Sequence, residues 1–118
     1  MYGVQGDKAM SKYPTVAALR HRIFFQQPVT TDDGYGGKPM TWVNYGKAWA
    51  KIEPLTGREY FFAHQIQAEV THRVTTRFRR DIKEDMRISA GSRILEIESI
   101  IDLDEAHRFL QFYCRESK

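Results

Sequence analysis

Between Thr41 and Ile82 the chain runs through a strand, an abrupt stop, a short capped helix and a second strand. No other feature restricts the fold as much. The first strand, about Thr41 to Glu53, meets Pro54, which cannot extend a ladder. Thr56 and Glu59 then have the T-x-x-E spacing of a capping box, in which each side chain satisfies a free N–H at a helix start. A helix to about Gln67 follows, with Tyr60, Phe61, Phe62 and Ile66 spread around more of its girth than one buried stripe requires. Such a helix either plugs the end of a barrel or offers its aromatics to a partner. The second strand, Glu69 to Arg79, places Val70, His72, Val74, Thr76 and Phe78 on one face. Thr71, Arg73, Thr75, Arg77 and Arg79 fall on the other. The first face suits a core, and the second reads as a surface of arginines and threonines.

The remaining segments are short strands and turns. Leu19, His21, Ile23 and Phe25 alternate with Arg20, Arg22 and Phe24 in a first strand that Pro28 is expected to end. Thr30 to Pro39 is a turn-rich loop. In the next strand Val43 and Tyr45 have one parity and Ala48, Ala50 and Ile52 the other, so a face-switching bulge is expected near Gly46. Met86–Ile88 and Arg93–Ile101 bracket a hairpin turn at Ala90-Gly91-Ser92. Leu95 and Ile97 point one way in this hairpin, Glu96 and Glu98 the other. After the acidic turn Asp102–Ala106, a last strand from Phe109 to Arg115 has Leu110, Phe112 and Cys114 on one face. The fold class is mainly β: a small antiparallel barrel, or barrel-like sandwich, with one short helix in a long loop. Residues 1–16 are expected as a flexible extension and 17–118 as one domain.

Little in this pattern carries chemistry. The four histidines lack any metal-ligand spacing, and no metal or cofactor is expected. Cys114, the single cysteine, excludes an intrachain disulfide and reads as a small core residue rather than a nucleophile. The Asp33–Lys38 loop lacks the spacing of a phosphate-binding loop. No catalytic residue is nominated, and no small-molecule substrate. No apolar run approaches the ~20 residues of a membrane span, so no membrane partner is expected. With no signal-peptide pattern at the N-terminus, synthesis is expected in the cytoplasm.

Charge points instead to assembly. Eighteen Lys and Arg against fifteen Asp and Glu is too even for a dedicated nucleic-acid binder. Locally, Arg73, Arg77, Arg79 and Arg80 form a basic stretch that would either face DNA phosphates or pair with acids of a neighbouring strand or subunit. Glu96 and Glu98 are the candidate acids. A basic and an acidic strand on one chain suit head-to-tail contacts, which close into rings when the rotation allows.

The chain resembles the head closure, or head–tail joining, proteins of tailed phages. The resemblance starts at Leu19-Arg20-His21-Arg22-Ile23 and continues through Thr31-Asp32-Asp33-Gly34-Tyr35-Gly36-Gly37 and Trp42-Val43. It is densest from Ala48-Trp49-Ala50-Lys51 to Pro54-Leu55-Thr56-Gly57-Arg58-Glu59. It returns at Thr71-His72-Arg73-Val74-Thr75, Arg77-Phe78-Arg79 and Ile94-Leu95-Glu96-Ile97. Two departures stand out: the first ~15 residues precede the usual family start, consistent with a tail, and Arg80 replaces an expected proline before Asp81.

The resemblance implies a β-barrel assembling as a homo-oligomeric ring beneath the portal and its adaptor, at the neck of the virion. Such a ring retains packaged double-stranded DNA and offers a platform to a tail terminator or tail-completion protein, without enzymatic turnover. It also implies that Pro54–Gln67, with Arg58, Glu59, Tyr60, Phe61 and Phe62, reaches the channel or the adaptor. Two alternatives remain at this point. One is a free nucleic-acid-binding barrel, which needs aromatics on the same exposed face as the arginines. The other is a tail-completion protein of the same neck.

Overall fold

A computed structural model describes residues 15–32, 34–66 and 69–117, without the side chains of Glu59 and Ile66. Six strands, β1 (His21–Thr30), β2 (Met40–Pro54), β3 (His72–Arg77), β4 (Arg87–Ala90), β5 (Arg93–Asp102) and β6 (Phe109–Ser117), close into a barrel in the order β1-β2-β3-β6-β5-β4. Every pairing is antiparallel. One helix, α1 (Gly57–Ile66), fills the connection from β2 to β3. A short 3-10 turn, Val16–Ala18, precedes β1, and another, Leu103–Glu105, joins β5 to β6. Of the expected extension, residues 1–14 lie outside the described residues, and Thr15 and Val16 belong to the first turn.

Inward-facing side chains fill the barrel. Ile23 and Phe25 from β1, Ala50 from β2, Val74 from β3, Ile88 from β4, Leu95 from β5 and Phe112 from β6 are fully buried. Phe25 and Phe112 meet across the interior with ring centroids 5.5 Å apart at 52°, a tilted pair. Cys114 is also buried, and burial pushes its thiol far above the ordinary value, so no thiolate is at hand. Side chains from all six strands thus occupy the interior, as in other small barrels.

The bulge expected at Gly46 is present. Phe25 pairs with Gly46 and Gln26 with Asn44, so Tyr45 is the extra residue. Arg79 explains the glycine. Its guanidinium lies across the bulge, and a Cβ at position 46 would sit 2.9 Å from Nη2. From there Arg79 donates to the Lys47 carbonyl at 3.2 Å and, through Nε and Nη2, to both oxygens of Asp81. This chelated turn occupies the place where a proline was expected.

Two expectations are corrected. Pro28 does not end β1: the strand runs to Thr30, with Pro28 opposite Trp42. β4 pairs with β1 only as far as Gln26, and β3 pairs with β2 only from Ala50 onward. The outer parts of β1 and β2 therefore form a two-stranded arm, where the missing N–H of Pro28 costs nothing. Arg87 braces the arm, its Nε donating to Gln26 at 2.8 Å and its guanidinium 4.3 Å over the Trp42 ring. β3 is shorter than Glu69–Arg79, because Arg79 turns back to Asp81 and Thr71 joins the loop end. Leu95 and Ile97 face the core and Glu96 and Glu98 the outside, as expected, up to a register shift between Ile97 and Ser99.

Replacing Phe112 by alanine removes the larger part of the cross-barrel contact. A loss of about 3–5 kcal/mol is expected in urea unfolding, the range for a buried Phe→Ala change; a loss under about 0.5 kcal/mol, the range of a surface change, would contradict this packing.

Candidate functional site

The two ends of the barrel differ. Pro54 pairs with His72, His72 with Cys114 and Ile94 with Ser117, so α1, the Gly91 turn and the end of β6 gather at one end. The arm, the Arg79–Asp81 turn and the 3-10 turn before β6 gather at the other.

At the first end the chain leaves β2 at Pro54, and Gly57 turns it into the helix with a φ of +58°, a backbone state that other residues adopt only with strain. The Tyr60 N–H bonds to the Thr56 carbonyl at 3.3 Å as the helix starts. The other arm of the expected capping box, the Glu59 side chain, lies outside the described residues. Leu55 and Val70 are buried, and Leu55 N–H bonds to Thr71 O at 3.0 Å, which clamps both feet of the excursion to the barrel rim. One turn apart on the helix, Tyr60 and His64 stack at 4.1 Å, and His64 Nε2 donates to Val70 O at 2.9 Å.

That tie decides which aromatics are spoken for. Tyr60 is 38% exposed and packed on His64, whereas Phe61 and Phe62 are 70% and 63% exposed. Of the two sequence readings of this helix, the barrel plug does not describe Phe61 and Phe62. Arg58 is exposed beside them. Phe61 and Phe62 are thus adjacent exposed phenyl rings on a helix clamped at both feet, the kind of apolar surface that proteins commonly use for contacts.

The arginines are divided by the fold. Arg73 stands opposite Glu53 in the ladder and donates to Glu53 Oε1 from Nε at 3.0 Å and from Nη2 at 2.9 Å. Arg79 is held by Asp81, whose carboxyl lies below its ordinary value chiefly through that hydrogen bond. Arg80 lies 5.4 Å over Phe78, and Arg77 is exposed. Thr75, expected on the open arginine face, is buried, so the row is interrupted. Glu96 and Glu98 both approach Arg115 of the same chain, at 2.7 and 3.9 Å, and Glu69 binds it from the other side.

Sequence reasoning missed the outer face of β1 and β2. There Arg22 lies 4.3 Å over the exposed ring of Trp49, directly opposite it in the ladder. The register that makes them neighbours depends on the bulge, which no local pattern spells out. Arg22 occupies the ring face that a base would need, which disfavours stacking of nucleic acid there. Among the described residues, no three His, Cys, Asp or Glu side chains converge on a metal-sized site.

Comparison with known proteins gives a consistent answer. A family described as phage head completion protein matches residues 15–117. Head completion protein gp16 of Bacillus phage SPP1 is 32% identical over 73 residues, covering 62% of this chain and 67% of that protein. The solution structure of protein SF1141 from Shigella flexneri 2a superposes with a TM-score of 0.74 at 28% identity, over 88% of this chain and 97% of that one. A chain from the virion of a native gene transfer agent particle shares the fold, with a TM-score of 0.60 at 20% identity over 89% of this chain.

Near the rim of α1, His72 provides a probe of this end. It is half-buried, with Thr71 Oγ1 at Nδ1 (2.9 Å) and Arg93 Nη2 and Glu116 Oε1 near Nε2 (3.3 and 3.6 Å). Burial lowers its pKa below 6.5, with Arg93 acting in the same direction and Glu116 against. The unfolded chain therefore takes up this proton first, and stability is lost as pH falls below 6.5 toward the folded value. Urea midpoints from pH 7.5 to 5 should show that loss, and His72→Gln should flatten it; an unchanged slope in His72→Gln would refute the assignment.

Proposed function

The chain belongs to the phage head completion protein family and is a structural component of the neck between head and tail, and from that premise we propose that its barrels form a ring beneath the portal and its adaptor. The ring seals the filled head, retains the double-stranded DNA and presents a platform to the tail terminator or tail-completion protein. One observation carries this reading: Phe61 and Phe62 stand exposed on a helix whose feet are clamped to one end of a closed barrel. The barrel interior is occupied by its own side chains and the Cys114 thiol is buried, which supports a reading in which the working parts are surfaces.

In this scheme α1 docks on the adaptor or narrows the channel, while the arm faces the opposite partner. A ring repeats each contact around its axis, so after one engages the others act at high effective concentration. Any hold on DNA comes from cations not already committed within the chain, such as Arg58, Arg77 and Arg80, and it is blind to sequence and weakens with salt.

Electron microscopy of particles made without this chain tests the role. Emptied heads beside finished free tails are expected, and normal virions would overturn it. The Phe61→Ser, Phe62→Ser pair should leave the free energy of urea unfolding within about 0.5 kcal/mol of the parent yet fail to restore joined particles in complementation. Full restoration would remove α1 from the contact.

A further inference from the structure

Beside the arm, between β2 and the end of β3, lies a groove of about 510 Å³. Its walls are apolar: Val16, Leu19, Ala48 and Trp49, of which Val16 is 56% and Trp49 51% exposed. Lys47 and Arg77 stand at its rim, and neither has an ion pair among the described residues. Arg79 also lines it but is committed to Asp81. No carboxylate is among its lining residues. An apolar slot with a positive rim fits an aliphatic side chain flanked by acids.

The same chain carries such a segment. Ile101, 40% exposed, leads into Asp102, Leu103, Asp104 and Glu105, and the last two acids are exposed. Asp104, Glu105 and His107 have φ values of 56°, 53° and 57°, a region that non-glycine residues occupy only when surroundings enforce it. Enforcement comes from Asp102, which accepts from His107 N–H at 3.0 Å and pairs with its Nδ1, and from Phe78, whose ring lies 4.7 Å from that of His107. The turn is thus held in one shape, which lowers the entropy it loses on binding.

We infer that the Ile101–Glu105 turn of one copy docks into the groove of the next, Ile101 against the apolar walls and Glu105 facing Lys47 and Arg77. Groove and turn are separate surfaces that adjoin on the barrel: Val16 and Arg77 line both the groove and the neighbouring pocket that Phe78 and His107–Phe109 enclose. In the proposed ring each copy gives its turn to one neighbour and its groove to the other, a head-to-tail contact. The chain's own first residues suit the groove poorly, since Lys8 and Lys12 outnumber Asp7. DNA phosphates would meet the cations but leave the apolar walls uncovered. The inference rests on the ring proposed above and assigns its subunit contact.

Charge reversal in complementation tests it. Arg77→Glu alone and Glu105→Lys alone should each lower the yield of joined particles roughly tenfold or more, since like charges would face across every interface. Supplying the two variants together should restore it, because in an alternating ring each interface again joins opposite charges. Rescue in trans is the signature of a contact between copies. If only the double variant on one chain is rescued, the coupling is internal and the inference falls. It falls also if both single variants match the wild type, or if Arg77→Glu alone fails and no partner variant rescues it, as a DNA contact would give. In those three cases the wild-type chain still restores joined particles and the proposed role stands; if it does not, the role itself is lost.

Discussion

Phe25 and Phe112 hold the barrel together across its interior, and most other features of the molecule follow from that contact. Their side chains, with Ile23, Ile88, Leu95 and Val74, fill the space that closure creates. A barrel filled by its own residues gains its stability from burial, about 25 cal/mol per Å² of apolar surface. Recognition is displaced outward, to the two ends and the outer face.

Closure also sets a length mismatch. β1 and β2 pair over their full span, but β4 and β3 cover only part of them. The excess becomes the arm, which would be marginal as an isolated ribbon and is braced by Arg87 through Gln26 and Trp42. At the root of the arm the Tyr45–Gly46 bulge accommodates the Arg79 guanidinium, which ties β2 to the turn after β3. One missing side chain, at Gly46, thus permits a link between elements more than thirty residues apart in sequence.

Charge works in the same divided way. Glu53, Asp81 and Glu96 neutralise Arg73, Arg79 and Arg115 within the chain, locking neighbouring strands and turns. Half-exposed pairs of this kind contribute little stability, about 0–1 kcal/mol each, and their larger effect is to subtract cations from what a partner meets. Arg77 and Lys47 remain at the groove, and Phe61 and Phe62 remain on the helix. The family assignment gives these leftovers a setting: the chain is a structural component of the neck between head and tail.

Local pattern alone located the strands, the Pro54 stop, the helix, the Gly46 bulge and the inward faces of β5 and β6, because alternation and turn chemistry act between residues close in sequence. Leu95, Leu110, Phe112 and Cys114 were readable as core on that basis. The arginine row shows where such reading stops. Parity places Arg73 and Arg79 on an open face, but it cannot announce that Glu53 stands opposite Arg73 or that Asp81 reaches back to Arg79. Strand register, two bulges and barrel closure decide those partners, and each is set by packing between segments distant in sequence. The sequence determined that this chain is a small β-barrel with an aromatic helix in its longest loop; only the tertiary structure decided which of its charges and rings remain available to others.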